Sequence, residues 1–421
     1  NGIDRSVGQI TTSSAPFLIN GVLVVGNSAQ PGGGGQTRIE NVPGDVQAFD
    51  MQTGEHLWTF HTIPREGEFG NDTWENDAWR WSGNVNVWAP LSGDPELGLV
   101  YLPTDAPTND YFGGFRPGDN LFGNSLVAVD VRTGERRWHF QVVRHDIWDA
   151  DIATPMLLYE TQVDGQTRKA LAAMRADGYL FQLDRETGEP IVPIEDREVP
   201  QDPFLKTAPT QPFPLSESIL PDCSFWRDQV PPPFELNCSS YTPPSLDQHA
   251  VVAPSVPIPM VRVTPMSFSP QTGYIYAQGR AHVGRARRIS DPWIADNRPG
   301  GYDRLTLPAS TGILAAVDGQ TGRIVWKQEF GGGRLGLSGP FTTAGNLMFW
   351  GSADGQVEAY DARTGERVWA FQTLETETRL RPGPAATCLE RAAAADRSAA
   401  SDQVSVCVAE CSQPRSRCPG W

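Results

Sequence analysis

The chain has 421 residues, of which 42 are Gly and 36 are Pro, and its apolar fraction of 39% is ordinary for a globular protein. Its formal net charge of -16 argues against nucleic acid or an anionic membrane surface as a partner. No stretch is apolar enough to predict a transmembrane helix. The sequence starts at Asn1 with neither a signal peptide nor an initiator Met, so we expect a processed or partial chain.

The first predicted element is a hairpin at residues 14–26, in which Asn20 and Gly21 form the turn between two apolar strands. The glycine run at 32–35 follows it. This run is not a phosphate-binding loop, because it lacks the Gly-Lys-Ser/Thr ending and the helix that should come next.

A nine-residue motif, Asp-x-x-Thr-Gly-x-x-x-Trp, recurs along the chain and organises the predicted fold. Each copy follows a strand of alternating polarity, and the Asp, Thr and Gly are typical of a tight turn. A second strand carries the Trp, and because one hairpin cannot bury an indole ring, each Trp must dock on a neighbouring copy. The copies span residues 50–58, 130–138, 184–192 (with Val192 in place of Trp), 318–326 and 361–369.

Repeats that bury their apolar faces only by stacking on one another form propellers or solenoids. We therefore predict an all-β fold, a β-propeller of four-stranded blades, over residues 1–373. A Pro-rich stretch with little periodicity, at about 193–260, is predicted to be an insertion on the propeller face. Residues 374–421 differ in composition and lack alternation, so we expect a disordered tail there.

The chain has six cysteines. Cys223 and Cys238 bracket a Pro-rich loop, and two interpretations stay open: a disulfide in an oxidising compartment, or two unpaired thiols. The other cysteines lie in residues 374–421, with spacings that fit no common zinc pattern. No Cys-x-x-Cys-His motif occurs, from which we infer that the protein has no covalently bound haem c.

Three polar clusters are candidates for chemistry. The densest, residues 144–151, contains three carboxylates beside Trp148; it could supply a general base or be only a solvated acidic loop. The oxygen-rich residues 104–112 are of the kind that suits a hard cation such as calcium. Trp88, within residues 86–90, is either a core residue or a ring on which a flat ligand stacks.

Together with the repeats, four strings resemble the pyrroloquinoline quinone (PQQ)-dependent dehydrogenases, specifically the branch of the membrane-bound glucose dehydrogenases. The resemblance runs from about residue 14 to residue 373. It implies an eight-bladed propeller with docking Trp residues, here truncated before Asn1 and altered after Phe371, where the closing strands of the family are replaced. The strings lie at 86–90, 99–104, 145–149 (His-Asp-x-Trp-Asp, the most specific) and 210–214.

The resemblance also implies roles for individual residues. PQQ and one Ca²⁺ are expected on the propeller axis, where Asp149 is the base that takes the substrate hydroxyl proton while a hydride passes to the quinone. Trp88 falls where the family places an indole under the PQQ ring. Thr108 falls at a residue of the quinone and metal site, and Glu40 and Asn41 lie near the family's acidic calcium ligand.

Two further residues are assigned to the cofactor site. His145 opens the most specific string. The family's Lys or Arg, two residues before Gly178, is Ala176 in this chain. Arg175 is the candidate to replace it by a shift of one residue, although neighbouring side chains of a strand point to opposite faces.

The implied function is PQQ- and calcium-dependent oxidation of a sugar or alcohol hydroxyl in the periplasm, with electrons passed to membrane ubiquinone. Attachment to the inner membrane through a missing N-terminal segment is also expected. One alternative is a quinoprotein alcohol dehydrogenase, although the vicinal Cys pair of that branch does not occur here. Another is a non-catalytic propeller scaffold, such as an outer-membrane assembly lipoprotein, which lacks the His-Asp-x-Trp-Asp string.

Overall fold

The computed structural model describes residues 8–11, 14–31, 39–253, 264–288, 302–331, 334 and 338–373. The predicted tail at 374–421 lies outside the described residues. Within the described residues, no helix has the length and apolar character needed to cross a membrane. Strands dominate, and the 3₁₀ helices are short: Asn71–Thr73, Glu75–Arg80 and Cys223–Gln229.

The first two blades are antiparallel sheets of four strands each. Blade I is built from β2, β3, β5 and β6, with β1 and β4 as a separate pair, and blade II from β7 to β10. The strands are β1 (Gly8–Thr11), β2 (Phe17–Ile19), β3 (Val22–Val25), β4 (Ser28–Pro31), β5 (Val46–Asp50), β6 (His56–Phe60), β7 (Ser92–Asp94), β8 (Leu99–Pro103), β9 (Ser125–Asp130) and β10 (Arg136–Gln141).

Blade III has three strands, and two short sheet segments follow it within the predicted insertion. Val192 stands where the motif elsewhere has Trp. After the motif turn, the chain pairs with β13 only through an isolated bridge between Leu183 and Pro190, and the described residues form no fourth strand there. Blade III consists of β11 (Leu157–Val163), β12 (Gln166–Met174) and β13 (Leu180–Asp184); the insertion contains β14 (Ile194–Glu198), β15 (Thr210–Pro214), β16 (Glu235–Asn237) and β17 (Ala250–Val252).

Two more blades complete the described part of the propeller. β16 and β17 extend the sheet of blade IV along the long strand β19. Blade IV consists of β18 (Ser267–Ser269), β19 (Tyr274–Arg288), β20 (Tyr302–Asp318) and β21 (Ile324–Gly331), and blade V of β22 (Phe341–Thr342), β23 (Leu347–Gly351), β24 (Gln356–Asp361) and β25 (Arg367–Gln372).

The repeated motif forms the predicted turn between the third and fourth strands. At the first copy, Asp50 Oδ1 accepts hydrogen bonds from the backbone N–H groups of Gln52 and Thr53, at 2.9 and 2.8 Å. Gly54 has a φ of 72°, a left-handed conformation that glycine adopts without a Cβ clash. The other copies repeat the Asp bond to the Thr N–H, so local chemistry sets this turn in every blade that carries it.

Trp58, Trp138 and Trp326 dock from blade to blade, as predicted, whereas Trp369 of blade V is 49% exposed, so the prediction that every motif Trp docks is wrong there. Trp138 of blade II is 6% exposed, and its Nε1 donates to the carbonyl of Arg185 in blade III at 3.1 Å. A Cβ on Gly188 would lie 2.7 Å from the indole, so glycine is what allows the ring to lie on the turn. Trp58 and Trp326 dock in the same way on Val131 and Ala362, both at 2.9 Å. The predicted β-propeller of four-stranded blades is confirmed.

The junction between blades III and IV uses other groups, because Val192 cannot supply an indole N–H. The carbonyl of Gly319 accepts hydrogen bonds from Tyr159 Oη and Gln182 Nε2, both at 2.8 Å. A Cβ on Gly322 would meet Ser216, Gln182 and Val192 instead of a Trp ring. Gln182 and Val192 of the blade III repeat, together with Ser216 of the insertion, therefore lie where a docking Trp lies elsewhere.

Strand direction places the predicted site residues at one end of the blades. Successive strands of a blade run in opposite directions, so the link between the second and third strands leaves from the same end as the crossover to the next blade. Each predicted site residue lies in such a link: Glu40 and Asn41 before β5, Trp88 before β7, Thr108 before β9, His145 and Asp149 before β11, and Arg175 before β13.

Candidate active site

Asn41 and Thr108, both predicted to serve the metal site, are in direct contact. Asn41 Nδ2 donates to Thr108 Oγ1 at 2.8 Å, and both residues are buried. The amide oxygen of Asn41 accepts a hydrogen bond from the Val42 N–H at 2.8 Å, which fixes the orientation of the carboxamide. Glu40, the third predicted metal residue, is half-buried beside Asn41 in the chain.

Asp149, the predicted base, is held in a turn that its neighbour Asp146 organises. The Asp146 carboxylate accepts hydrogen bonds from the Trp148 and Ala150 N–H groups, both at 2.8 Å. Asp149 has a φ of 58° and is 9% exposed, and its Oδ2 accepts a hydrogen bond from Tyr111 Oη at 3.0 Å. Tyr111 belongs to the Thr108 loop, so this bond joins two of the predicted site loops.

Trp88 reaches the same loops through Asp151. Its Nε1 donates to Asp151 Oδ2 at 3.3 Å, while Asp151 Oδ1 accepts from the Ala106 N–H at 3.0 Å. The Trp88 ring is half-buried. One carboxylate thus ties together the crossovers that carry Trp88 and Asp149 and the loop that carries Thr108. The sequence marked Asp151 only as a member of an acidic cluster.

Asp105 is a second buried carboxylate close to Asp151. It accepts hydrogen bonds from the backbone and side-chain nitrogens of Asn86. Burial and, next, the negative charge of Asp151 raise the pKa of Asp105 well above its usual value. Two carboxylates at this depth repel each other, so the pair favours a proton or a cation nearby.

Arg116 links the Thr108 loop to the Asp149 crossover. The guanidinium is buried; it donates to the carbonyls of Thr108, Asn109 and Asp146, at 3.2, 3.0 and 2.5 Å, and to the Asn120 side chain at 2.8 Å. Burial lowers the pKa of Arg116 to about 10. No local pattern singles this residue out in the sequence, because its role depends on carbonyls that come from two separate loops.

His145 and Arg175 have their hydrogen-bonding groups engaged by protein. The ring nitrogens of His145 lie 2.8 Å from the carbonyls of Gly118 and Leu205, and burial lowers its pKa to about 4. Arg175 forms a two-pronged ion pair with Asp177, with both distances 2.9 Å, and also donates to backbone carbonyls. Their assignment to the cofactor site stays a prediction.

These residues offer the types of group that bind a flat quinone and a hard cation. Carboxylate, amide and hydroxyl oxygens are the ligands that calcium takes, and the buried pair of Asp105 and Asp151 would be relieved by positive charge. Trp88 offers a ring face. Among the described residues, no group of three or more His, Cys, Asp and Glu side chains gathers to hold a metal, so neutral oxygens would have to complete a calcium shell.

Several curated relatives are named as dehydrogenases and are longer than this chain. The glycerol dehydrogenase large subunit of Gluconobacter oxydans is 28% identical, over 88% of this chain and 58% of its own length. The quinoprotein glucose dehydrogenase of the same organism is 29% identical, over 86% of this chain and 53% of its own length. This chain therefore spans a little over half the length of these relatives.

A solved structure of a quinohemoprotein alcohol dehydrogenase from Pseudomonas putida has the same fold. Its TM-score is 0.63 at 26% sequence identity, and the match covers 87% of this chain and 53% of that one. The prediction that excluded haem c as a partner is wrong, because several relatives are named as quinohemoprotein alcohol dehydrogenases. This chain, which has no Cys-x-x-Cys-His motif, spans about half the length of such a protein.

Two family profiles match the chain. The profile for the outer membrane protein assembly factor BamB matches residues 279–406, the shorter of the two matches. The profile described as the β-propeller domain of glucose, ethanol and alcohol dehydrogenases, of the PQQ type, matches residues 2–291, which is more than half of the chain. The resemblance predicted from the motifs is thereby confirmed, and the chain belongs to the β-propeller family of PQQ-dependent glucose, ethanol and alcohol dehydrogenases.

Proposed function

We propose that the chain carries the active site of a PQQ- and calcium-dependent dehydrogenase that oxidises a hydroxyl group of a sugar or an alcohol. The observation that carries this proposal is the network joining the loops of Trp88, Thr108 and Asp149 at one end of the blades. The network brings a flat ring, neutral oxygens and a carboxylate to one place.

The chain's own residues divide the work in this proposal. Asp149 takes the substrate hydroxyl proton, and Tyr111, which donates to Asp149 Oδ2, orients that carboxylate. Trp88 provides the face on which the quinone ring lies, and Asp151 fixes the indole. Asn41 and Thr108 contribute oxygen ligands, and so does Glu40, which is next to Asn41 in the chain. When bound, PQQ would supply the two-electron acceptor and calcium would supply a positive charge.

A periplasmic location is part of the proposal. Cys223 and Cys238 form a disulfide, which persists in an oxidising compartment. The relatives are named for glycerol, glucose and alcohol, so a polyol, an aldose and a simple alcohol are all test substrates. The electron acceptor needs two assays, one with a ubiquinone analogue and one with a cytochrome c, because of the quinohemoprotein relatives.

The test is dye-linked oxidation of glucose, glycerol and ethanol after addition of PQQ and Ca²⁺, compared between two Asp→Asn variants. Asp149→Asn removes the base, and we expect the rate to fall by about 100- to 10,000-fold while PQQ stays bound. Asp164→Asn is the matched control, since Asp164 also has a positive φ (51°) but is exposed in the β11–β12 turn at the opposite end. Asn tolerates both conformations.

Two outcomes would contradict the proposal. Undiminished turnover in Asp149→Asn would remove the residue from the base role. Absence of both PQQ binding and turnover in the unsubstituted chain would favour the second candidate function, a scaffold that binds protein partners. The profile match to the BamB assembly factor at residues 279–406 is the observation that favours this second candidate.

A further inference from the structure

One sheet face of blade V is apolar and exposed. Blade V packs on blade IV through its other face, which buries Met348, Trp350 and Tyr360. Side chains alternate between the two faces of a sheet, so the residues beside these three point away from blade IV. Contiguous exposed apolar surface of this kind marks interaction sites. This surface, the blade V face, consists of Phe341 (63% exposed), Phe349, Val357, Ala359, Trp369 (49% exposed) and Phe371 (57% exposed), which are partners in the strand register.

Trp369 holds the position of a docking Trp within this face. At three junctions of the chain, the motif Trp lies on the motif Gly of the next blade, where a Cβ would come within 2.6 or 2.7 Å of the indole. The indole N–H donates to the backbone carbonyl three residues before that Gly. The three pairs are Trp58 with Gly134, Trp138 with Gly188 and Trp326 with Gly365.

The motif turn of blade I is the matching binding site, and it is open. A Cβ on Gly54 would have no atom of the described residues within 4 Å, whereas the three glycines just named each lie under an indole ring. Gly54 has a φ of 72°, and Gly134 and Gly365 have φ values of 72° and 73°, so the open turn already has the conformation of the occupied turns. Met51, three residues before Gly54, is 51% exposed and holds the position whose carbonyl accepts the indole N–H elsewhere.

The sheet face beside the Gly54 turn is mainly apolar as well. Phe17 and Ile19 point toward blade II, since a Cβ on Gly93 of β7 would lie within 3 Å of both side chains. Leu18, between them in β2, points to the opposite side. That side, the blade I face, consists of Leu18 (55% exposed), Leu23, Val25, Gln47, Phe49 and Thr59, again partners in the strand register.

We propose that the blade V face binds the blade I face of a second copy of this chain, with Trp369 on the Gly54 turn and its Nε1 donating to the Met51 carbonyl. Within one molecule the two do not meet, because Trp369 is exposed and the Gly54 turn is open. The contact continues between copies the junction that already joins successive blades inside the chain.

Two properties of the assembly follow from this pairing. The two surfaces in contact are different, so the interface is heterologous and each copy keeps one free face on which another copy can bind. The blade faces are also distinct from the loops of Trp88, Thr108 and Asp149. Self-association therefore does not depend on the proposed dehydrogenase function.

The test is sedimentation velocity of the full chain between about 1 and 100 µM, a range that reveals contacts of moderate affinity. We expect species of two, three and more copies, whose share grows with concentration. Trp369→Ala should weaken association about 30-fold or more, as is usual for a Trp at the centre of an interface. Gly54→Asn should do the same, because Asn tolerates the positive φ while its side chain blocks the turn. Gly98→Asn is the matched control: Gly98 has a φ of 65° and is equally open, but it lies in the β7–β8 turn of blade II.

Mixing the two variants separates head-to-tail docking from other contacts. Trp369→Ala keeps the open Gly54 turn and Gly54→Asn keeps the Trp369 ring, so an equimolar mixture retains one complete contact for each pair of chains. We expect each variant alone to be mostly monomeric, and the mixture to form a dimer and nothing longer. Neither change should disturb the fold, because both positions are open in the single chain.

Three results would overturn the proposal. A monomeric unsubstituted chain at every concentration would mean that the two faces do not bind each other. Undiminished association of Gly54→Asn alone would indicate a symmetrical contact between two blade V faces. Undiminished association of Trp369→Ala alone would place the interface elsewhere on the molecule.

Discussion

Replacing Trp138 with Ala should destabilise the protein strongly, because this ring joins blade II to blade III. The indole is 6% exposed, lies on Gly188 and donates to the Arg185 carbonyl at 3.1 Å. A buried Trp removes roughly 200 Å² from water, which corresponds to about 5 kcal/mol at about 25 cal/mol per Å². The lost hydrogen bond adds about 1 kcal/mol, and partial relaxation of the site subtracts from the total.

We therefore expect Trp138→Ala to lower the free energy of unfolding by about 3–5 kcal/mol. Trp369→Ala is the matched control, since Trp369 holds the same motif position in blade V but is 49% exposed and stacks on Phe371 of its own strand. Its replacement should cost less than about 1 kcal/mol. The assay is urea unfolding, with midpoints compared at equal slope. Equal losses in the two variants would refute blade-to-blade docking as the source of stability.

Three other predictions concern charge and covalent links. Burial raises the pKa of Asp146 to about 7, so its contribution to stability is full below about pH 4 and is lost as the pH rises through about 7. The urea midpoint should therefore fall between about pH 4 and pH 7, and Asp146→Asn should flatten this fall. An unchanged dependence of the midpoint on pH in the variant would contradict the prediction. Arg116→Met should cost about 3–5 kcal/mol, because it strands buried carbonyls, and Arg116→Lys should cost less; equal midpoints would count against the network. Reduction of the Cys223–Cys238 disulfide, which spans 15 residues, should lower stability by about 3 kcal/mol in the same assay, and no change in a Cys223→Ser control treated with reductant is expected.

The propeller was predictable from sequence because its turn is made by local chemistry. Asp50 accepts hydrogen bonds from N–H groups two and three residues ahead of it, and Gly54 supplies the positive φ. All residues that form the turn are therefore close together in the sequence, where the motif can be recognised. The docking Trp residues followed from a simple argument about burial. The number of strands in blade III was not predictable from sequence. Val192 shows that the docking Trp is replaced, but it does not show that the chain leaves the sheet before a fourth strand forms.

The candidate site was predicted only in part. Motif order brought out Trp88, Thr108 and Asp149, whose loops the structure joins by hydrogen bonds. Arg116 was missed because its partners are backbone carbonyls, which leave no trace in the sequence. The pairing of Arg175 with Asp177 was missed because it depends on a tight turn that brings residues two apart into contact.

A cavity of about 470 Å³ beside blade III was not predicted. It depends on how the insertion folds back over blade IV, and no periodic pattern in residues 193–260 fixes that path. A sequence without periodic polarity therefore does not predict the structure that a long insertion adopts.

Equilibrium binding of PQQ in the presence of Ca²⁺ tests most directly whether the joined loops form a quinone site. Trp88→Ala should weaken binding by about tenfold or more, because it removes the ring face and the indole N–H that donates to Asp151. Trp79→Ala is the control, since Trp79 lies in the same crossover, is half-buried and packs against Arg80 at 4.3 Å. Tight binding to the unsubstituted chain and to Trp79→Ala, with loss in Trp88→Ala alone, is the predicted result. Equal affinity in all three proteins would contradict it.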